Sequence, residues 1–238
     1  MIDTIKIIHE PTEKEPFLIV YKPHNLPTAP LSDNDQNNLL AFCINLYPQI
    51  KNVNGKKTCE YGLVHRIDTV TDGLVLIAVT QMFYDYILTE QKKNNFIKYY
   101  RAECLEIKSD NTFPENNINI CENKKIIVSS FFRYFGPGNK EVRPVLENSN
   151  KKILSKVGKL TLYKTEIVLK RENNSIKAFC CLSNGFKHQV RCHLAWIGFP
   201  IKNDPVYNKN NLLNDDINFT AYGLNFKNID GKDIYITI

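Results

Sequence analysis

The loop that begins at His65 carries a single carboxylate, Asp68, two residues after Arg66. A nearby positive charge lowers the pKa of a carboxyl group and keeps it ionised, which suits a nucleophile or an electrostatic catalyst. Most loop aspartates only cap a turn. Here a turn at 71–73 leads into a long apolar run, so a buried strand would hold the loop rigidly. This arrangement favours a catalytic interpretation of Asp68.

A second basic segment reads NGFKHQVRCHL, from Asn184 to Leu194. Lys187 and Arg191 are four residues apart, so a helix would put both on one face, where they repel mildly. An anion bound between them near the helix N-terminus would reverse that repulsion, whereas the plain alternative is a solvated basic face. His188 and His193 are five apart and point in different directions on a helix, so we predict no metal site.

The segment FIKYYRAEC combines basic residues with tyrosines. On a strand, Lys98, Tyr100 and Ala102 share one side, and Tyr99 lies on the other. A tyrosine ring beside a positive charge suits nucleotide binding, because the ring stacks on a base. The alternative is a core or rim position, which we favour for Tyr99.

The elements that must position these residues follow from the apolar pattern. Strands are predicted at 17–21, 73–79, 96–107, 124–132, 160–170, 176–182, 219–226 and 233–238. Helices are predicted at 39–47, at 81–92 after a Thr80 cap, and from near Lys187 to 197. Many strands with few helices predict an α+β chain with a large mixed sheet. Since no linker is evident, we expect one domain over 1–238, with two lobes and a cleft between them.

The composition excludes several classes of protein. The chain has 238 residues, 43% of them hydrophobic, and a net charge of +6, which is compatible with a polyanionic partner. No run is long and apolar enough to cross a membrane, and the N-terminus lacks a signal peptide, so we expect a cytoplasmic protein. Seven cysteines without a C-x-x-C pair suggest neither disulfides nor a zinc site. No P-loop, G-x-G-x-x-G, G-x-S-x-G or H-E-x-x-H occurs.

These stretches, in this order, resemble the RluA family of pseudouridine synthases. The family's H-R-L-D-x-x-T-S-G-L corresponds to 65–74, its K-x-Y-x-A to 98–102, and its G-R-T-H-Q-I-R-x-H-L to 185–194. Its G-x-P-I-x-x-D-P-x-Y corresponds to 198–207. The opening 17–27 is similar to the family's strand and K-P-x-G-L-P loop, and 221–232 to its A-x-x-L-x-F-x-x-P-x-G-K end. The resemblance therefore spans nearly the whole chain.

The resemblance implies the pseudouridine synthase fold, a large, mixed, mostly antiparallel and bifurcated sheet with flanking helices and a central active-site cleft. It implies isomerisation of uridine to pseudouridine in rRNA or tRNA, with no cofactor and no metal; we also expect a monomer. Asp68 corresponds to the essential aspartate, Tyr100 to the tyrosine that stacks on the target base, and Arg191 to the arginine that pairs with the aspartate. The matching RNA-contact positions are His65, Arg66, Thr71, Lys98, Lys187, His188 and Gln189.

Several positions depart from the family pattern. Asp72 replaces the usual Ser, and Phe186 and Lys187 replace the usual Arg and Thr. His24 and Asn25 stand where a Gly is common, and Asn203 replaces another Gly. We expect these changes to affect substrate contacts and target choice rather than chemistry. The family's frequent N-terminal S4 module is expected to be absent, because the catalytic domain starts within the first twenty residues.

Two other functions remain compatible with the sequence. A non-catalytic RNA-binding or assembly protein can share the same fold, although Asp68, Tyr100 and Arg191 are all present. A glycosidase or base glycosylase would need a second acid opposite the first, and Asp72 is the nearby candidate. Release of free base from RNA would support that third hypothesis, whereas an isomerised base of unchanged mass would exclude it.

Overall fold

The computed structural model describes residues 4–30, 32, 35–107, 112–173, 175–208 and 215–238. This described part contains ten strands and four α-helices. The strands are β1 (Lys6–His9), β2 (Phe17–Lys22), β3 (Asp72–Ala78), β4 (Ile97–Cys104), β5 (Lys125–Phe135), β6 (Glu141–Val145), β7 (Tyr163–Glu172), β8 (Ser175–Leu182), β9 (Phe219–Lys227) and β10 (Asp233–Thr237). The helices are α1 (Leu39–Leu46), α2 (Gln81–Lys92), α3 (Lys151–Leu154) and α4 (Gln189–Trp196).

The chain is organised as two compact units. Unit 1 comprises Met1–Lys98 and Thr220–Ile238, and unit 2 comprises Tyr99–Phe219. The N-terminal and C-terminal segments thus fold together in unit 1. The expected single domain stays a prediction. Within the residues described, no helix has the length and apolar character needed to cross a membrane.

The sheet of unit 1 has the order β1-β2-β3-β9, with β10 paired to the same strand β9. Neighbours run antiparallel except for β3 and β9, which run parallel. Every residue of β3 is buried, as its unbroken apolar run predicts. The register places Lys22, at the end of β2, opposite Gly73 at the start of β3. The loop before β3, which carries Asp68, therefore lies beside the end of β2.

Gly73 is required by a close approach of two backbones. Its φ is +123°, and an added β-carbon would lie 2.2 Å from the carbonyl oxygen of Ala221. Any side chain would force β3 and β9 apart at the point where the candidate catalytic loop ends. The glycine of the sequence motif therefore fixes the position of that loop.

The core of unit 1 forms between its sheet and α2. Phe17, Phe83, Phe96 and Phe226 are fully or almost fully buried in one apolar cluster. The helix begins where the sequence predicts, since the Thr80 side chain accepts a hydrogen bond from the backbone N–H of Phe83. Burial of these rings stabilises the layer that supports the catalytic loop.

The sheet of unit 2 has the order β4-β8-β7-β5-β6. Strands β7 and β8 form a hairpin, and β5 pairs with both β7 and β6. Helix α4 packs against β6 and β7. The core between them contains Phe132, Val142, Cys192, Ala195 and Tyr207. The helix thus carries Arg191 into the interior of this unit.

The predicted elements are all present, with shifted ends. Strand β5 runs three residues beyond the predicted end, and α4 begins at Gln189 rather than near Lys187. The strands β1 and β6 were not predicted because β1 is short and half-exposed, and β6 contains Pro144, which suits only an edge strand. Asn174, in the predicted hairpin turn, lies outside the described residues.

Candidate active site

The segment that follows β2 holds the backbone on both sides of Asp68. The Thr28 hydroxyl donates a hydrogen bond to the carbonyl of Ile67 at 2.7 Å. The Lys22 ammonium donates to the carbonyl of Thr69 at 3.1 Å. Asp68 itself is partly exposed. Its carboxylate is therefore carried by a backbone that is fixed on either side, which is what a catalytic group needs.

Lys22 is fully buried and acts as the anchor of this arrangement. Its ammonium also donates to the carbonyls of Pro23 and Leu26, both at 2.8 Å. Burial lowers the pKa of Lys22 to about 8, and the charges of Asp72 and Asp68 oppose that shift. The lysine therefore supplies three hydrogen bonds to the backbone and a positive charge close to the loop.

Thr71 closes the turn after Asp68. Its backbone N–H donates to the Asp68 carbonyl at 3.0 Å. The side chain is buried, and its hydroxyl has no hydrogen-bond partner among the described residues. A buried hydroxyl without a partner costs free energy, and a group of a bound substrate would remove that cost. The predicted contact of Thr71 with RNA stays a prediction.

His65 is buried and anchors the loop to β3. Its Nε2 accepts a hydrogen bond from the backbone N–H of Leu76 at 3.1 Å, and its ring packs beside Phe96. Burial, followed by the charges of Lys98 and Lys56, holds the pKa of His65 well below its usual value. The ring is therefore neutral. This position suits a residue that supports the loop, and direct contact with RNA stays a prediction.

Arg66 is exposed and points its charge at a buried acid. Its guanidinium donates to Oε1 of Glu60 at 3.2 Å, and the Lys57 ammonium lies 3.7 Å from the same oxygen. Glu60 therefore holds two cations at the surface of unit 1. An arginine on the surface beside Asp68 is well placed to meet a phosphate.

Asp72 does not have the position of a second catalytic acid. The Tyr21 hydroxyl donates to its Oδ2 at 2.8 Å, and Nε2 of His24 lies 3.4 Å from its Oδ1. Only 7% of Asp72 is exposed. An acid that protonates a leaving group must face the substrate. This arrangement therefore disfavours the glycosidase hypothesis.

Lys98 is a buried cation. Its ammonium lies 5.8 Å from the centre of the Phe96 ring, and among the described residues no acidic side chain pairs with it. Burial, followed by the charge of Lys56, lowers the pKa of Lys98 to about 8. Burying a charge without a partner costs free energy. A cation kept at that cost is a candidate for contact with an anionic or polar substrate group.

Tyr100 lies on the buried side of β4, as the alternation predicts. Its ring stacks on Phe219, with ring centres 5.2 Å apart and planes 17° apart. This stack fixes the plane of the tyrosine ring within unit 2. The assigned role of Tyr100 in stacking on a target base stays a prediction.

Arg191 forms a buried pair with Asp204. Its Nε and one terminal nitrogen each donate to a carboxylate oxygen at 2.8 Å. Only 2% of the arginine side chain and none of the aspartate side chain is exposed. Burial alone would raise the pKa of Asp204, but the hydrogen bonds and charge of Arg191 lower it below its usual value. The guanidinium is therefore held in one orientation.

The expectation that Lys187 and Arg191 share one helix face is wrong. Lys187 precedes α4, is exposed, and donates to the carbonyl of Asn139, whereas Arg191 is buried on the helix. His188 occupies the N-cap in a left-handed conformation, with φ of 54°, so the chain turns before the helix begins. The two cations therefore do not share a helix face.

The side-chain amide of Gln189 forms hydrogen bonds within the protein. Its amide nitrogen donates to the Lys164 carbonyl and to the Thr165 hydroxyl, and its amide oxygen accepts from the backbone N–H of Phe186. These three bonds tie the start of α4 to β7. The predicted RNA contacts of Gln189, His188 and Lys187 stay predictions.

The structure explains two departures from the family pattern. Asn25 and Asn203 both have positive φ, at 60° and 61°. Asparagine is the side chain that tolerates this conformation best after glycine. Both substitutions therefore keep the backbone geometry for which a glycine is commonly used.

The three candidate catalytic residues are distributed along the chain. Asp68 lies in unit 1, whereas Tyr100 and Arg191 lie in unit 2. The pairing of Arg191 with Asp68 stays a prediction. Sequence reasoning missed the roles of Lys22, Glu60 and Asp204. Lys22 and Asp204 lie in the K-P-x-G-L-P and D-P-x-Y motifs, so a signal was present for them, whereas Glu60 stands in no recognised motif.

Comparisons with known proteins show to which family this chain is similar. A family model described as RNA pseudouridylate synthase matches residues 16–196. A ribosomal large subunit pseudouridine synthase D from Buchnera aphidicola subsp. Schizaphis graminum is 25% identical, over 82% of this chain and 52% of the relative. RNA pseudouridine synthase 7 from Arabidopsis thaliana is 26% identical, over 87% of this chain and 46% of the relative. The chain thus spans about half the length of these relatives.

Two solved structures share the fold. Human RNA Pseudouridylate Synthase Domain Containing 1 aligns with a TM-score of 0.68 and 14% identity, over 100% of this chain and 84% of that one. Human RNA Pseudouridylate Synthase Domain Containing 4 aligns with a TM-score of 0.62 and 16% identity, over 98% and 87%. At these identities the likeness shows the α+β pseudouridylate synthase fold.

Proposed function

Since this chain belongs to the RluA family of RNA pseudouridylate synthases, we propose that it isomerises uridine in RNA to pseudouridine, with Asp68 as the catalytic carboxylate. The observation that carries the proposal is the fixed backbone around Asp68. Hydrogen bonds from Thr28 and Lys22 hold the carbonyls of the two residues that flank it. The backbone that carries the carboxylate is thus held on both sides at a partly exposed site.

The reaction leaves the composition of the nucleotide unchanged. The bond from C1′ to N1 breaks, the base turns while it stays bound, and a new bond forms from C1′ to C5. The proton on C5 leaves, and N1 carries a proton in the product. Asp68 acts either as a nucleophile at the sugar or as the charge that stabilises the detached sugar, and both roles require the ionised carboxylate.

Arg191 and Tyr100 complete the proposed catalytic group. The pair with Asp204 holds the Arg191 guanidinium rigidly, so a second carboxylate would meet a preorganised partner. The stack on Phe219 likewise fixes the Tyr100 ring, which would lie against the target base. A base must leave its helical stack to be reached, and that costs a few kcal/mol.

The proposed substrate is rRNA or tRNA. Arg66 would hold the flipped base in place or bind a neighbouring phosphate. Lys98 would bind a polar group of the nucleotide. The net charge of +6 supports binding of the RNA backbone. We include in the proposal a monomeric enzyme that acts in the cytoplasm. Analytical ultracentrifugation and cell fractionation test those two points.

A tritium-release assay tests the proposed activity. Transcripts labelled with tritium at C5 of uridine would be incubated with purified protein, because isomerisation frees that tritium as water. Wild type should release it, and Asp68→Asn, which is nearly isosteric, should lose release while it keeps its fold and most RNA binding. Asp233→Asn, at an exposed position at the start of β10, is the matched control. Turnover retained by Asp68→Asn would refute the catalytic assignment.

The assay also separates the two competing functions. A non-catalytic RNA-binding protein would bind the transcripts without tritium release by wild type. A base glycosylase would release free uracil, whereas an isomerase leaves the mass of the RNA unchanged. The target would then come from cellular RNA with and without the gene, read by pseudouridine-specific chemical modification and reverse-transcription stops. A site restored by wild type but not by Asp68→Asn identifies the substrate.

A further inference from the structure

His24 lies between a backbone carbonyl and a carboxylate. Its Nδ1 is 2.7 Å from the carbonyl oxygen of Val70, and its Nε2 is 3.4 Å from Oδ1 of Asp72. The Tyr21 hydroxyl donates to the other carboxylate oxygen, Oδ2, at 2.8 Å. Oδ1 is buried and accepts no hydrogen bond from the described residues. The ring therefore faces one acceptor with each of its nitrogens.

The contact with Val70 determines the orientation of the ring. A carbonyl oxygen only accepts, so Nδ1 needs its proton to bond to Val70. That hydrogen bond places Nε2 beside the carboxylate of Asp72.

These contacts span the loop that carries the candidate catalytic aspartate. Val70 is two residues after Asp68, and Asp72 is the first residue of β3. Lys22, two residues before His24, donates a hydrogen bond to the carbonyl of Thr69. Lys22 and His24 thus contact two consecutive carbonyls, and His24 also lies beside the carboxylate of Asp72 at the end of the loop.

We propose that His24 and Asp72 are positioning residues, and that the His24 ring bridges the Val70 carbonyl and the Asp72 carboxylate to hold the Asp68 loop in its active geometry. The proposal rests on the proposed function. It also gives a reason for Asp72 in place of the usual serine, since a serine hydroxyl would not supply a negative charge to the ring. The charges of Asp72 and Asp68 both act on Lys22, and the Lys6 ammonium lies 5.7 Å from the Tyr21 ring centre.

The contact of the ring with the loop is measured first, without RNA. Nitrogen NMR of the imidazole shows which ring nitrogen carries a proton, and His24 should carry one on Nδ1, which faces the Val70 carbonyl. A His24 ring with its only proton on Nε2 would overturn the bridge. Because this measurement involves no turnover, it stands even if the proposed activity fails.

The kinetic test separates positioning from RNA contact. His24→Gln and Asp72→Ser should each lower kcat about tenfold or more, because small misplacement of a catalytic group is costly, with KM changed less than twofold. The double variant should be no slower than the slower single variant. His9→Gln, on β1 and paired with Glu15, is the matched histidine control and should keep wild-type kcat.

Two outcomes contradict the proposal. Unchanged kcat in both single variants would show that the loop holds its geometry without the bridge. A raised KM with unchanged kcat would show that these side chains bind RNA instead. If Asp72→Ser fails to fold, as thermal unfolding would reveal, His24→Gln alone decides, since this partly exposed residue leaves the buried carboxylate in place. A wild type that binds RNA without turnover would refute the proposed function but not the bridge.

Discussion

Arg191 and Asp204 are joined by two parallel hydrogen bonds of 2.8 Å inside unit 2. Asp204 also accepts from the backbone N–H groups of Val206 and Tyr207, so its carboxylate has four hydrogen bonds. A guanidinium held in this way cannot rotate to follow a substrate. The fold thus presents the arginine in advance of binding, as electrostatic preorganisation requires.

Replacement of Asp204 by asparagine should strongly destabilise the protein. Removal of one partner leaves the buried Arg191 charge uncompensated, and we expect the free energy of unfolding to fall by about 3–5 kcal/mol. Urea unfolding measures this change. The control is Glu103→Gln, which breaks a partly exposed pair with Lys202 and should cost about 1 kcal/mol or less. Equal losses in the two variants would mean that the buried pair has no special role.

Replacement of Arg66 by glutamine should weaken RNA binding in a salt-dependent manner. Loss of one phosphate contact should reduce the slope of log Kd against log salt by about 0.7 for single-stranded RNA. Fluorescence anisotropy at several salt concentrations measures the slope. Arg171→Gln is the control, because Arg171 is also paired with acids but lies on β7, outside the proposed RNA-contact residues. An unchanged slope in Arg66→Gln would remove this arginine from the RNA interface.

The sequence predicts the elements of this fold better than the contacts between them. The continuous apolar run of β3 and the Thr80 cap of α2 are local signals, and both are confirmed. We predicted that α4 begins near Lys187, before its observed start at Gln189. The spacing of apolar residues does not reveal the left-handed conformation of His188. The expected shared helix face of Lys187 and Arg191 followed from that error.

Pairings between distant segments were largely beyond the sequence. Nothing local indicates that Lys22 anchors the carbonyl of Thr69, or that Thr28 holds the carbonyl of Ile67. Such contacts arise from the strand register, which places the end of β2 beside the start of β3. The motifs therefore supplied the candidate residues, whereas the partners of those residues became clear only from the fold.

The free energy of unfolding should fall as the pH drops below 6.5. Burial lowers the pKa of His193 to about 3 and that of His65 well below its usual value. Between the folded and unfolded pKa values only the unfolded chain binds these protons, so acid favours unfolding. Each histidine should contribute up to about 1.4 kcal/mol per pH unit in this range. Urea unfolding from pH 7 to 4.5 tests the slope, which should be smaller by about one proton in His193→Gln.

Replacement of Lys98 by methionine should stabilise the protein at neutral pH and impair turnover. The folded-state pKa of Lys98 is about 8, below the ordinary 10.5, so at pH 7 the folded protein bears the cost of a buried charge. Methionine fills a similar volume without that charge, and we expect a gain of roughly 1–3 kcal/mol, since one pKa unit corresponds to about 1.4 kcal/mol.

The pH dependence of the free energy of unfolding checks the sign of this effect. Between about 8 and 10.5 the folded Lys98 releases its proton before the unfolded chain does, so wild type should gain stability in this range and approach Lys98→Met. Lys22 should make a parallel gain in both proteins, because its pKa is also about 8. A constant difference in the free energy of unfolding from pH 7 to 10 would show that the buried charge carries no cost. If Lys98→Met were both more stable and fully active, Lys98 would have no role in the reaction.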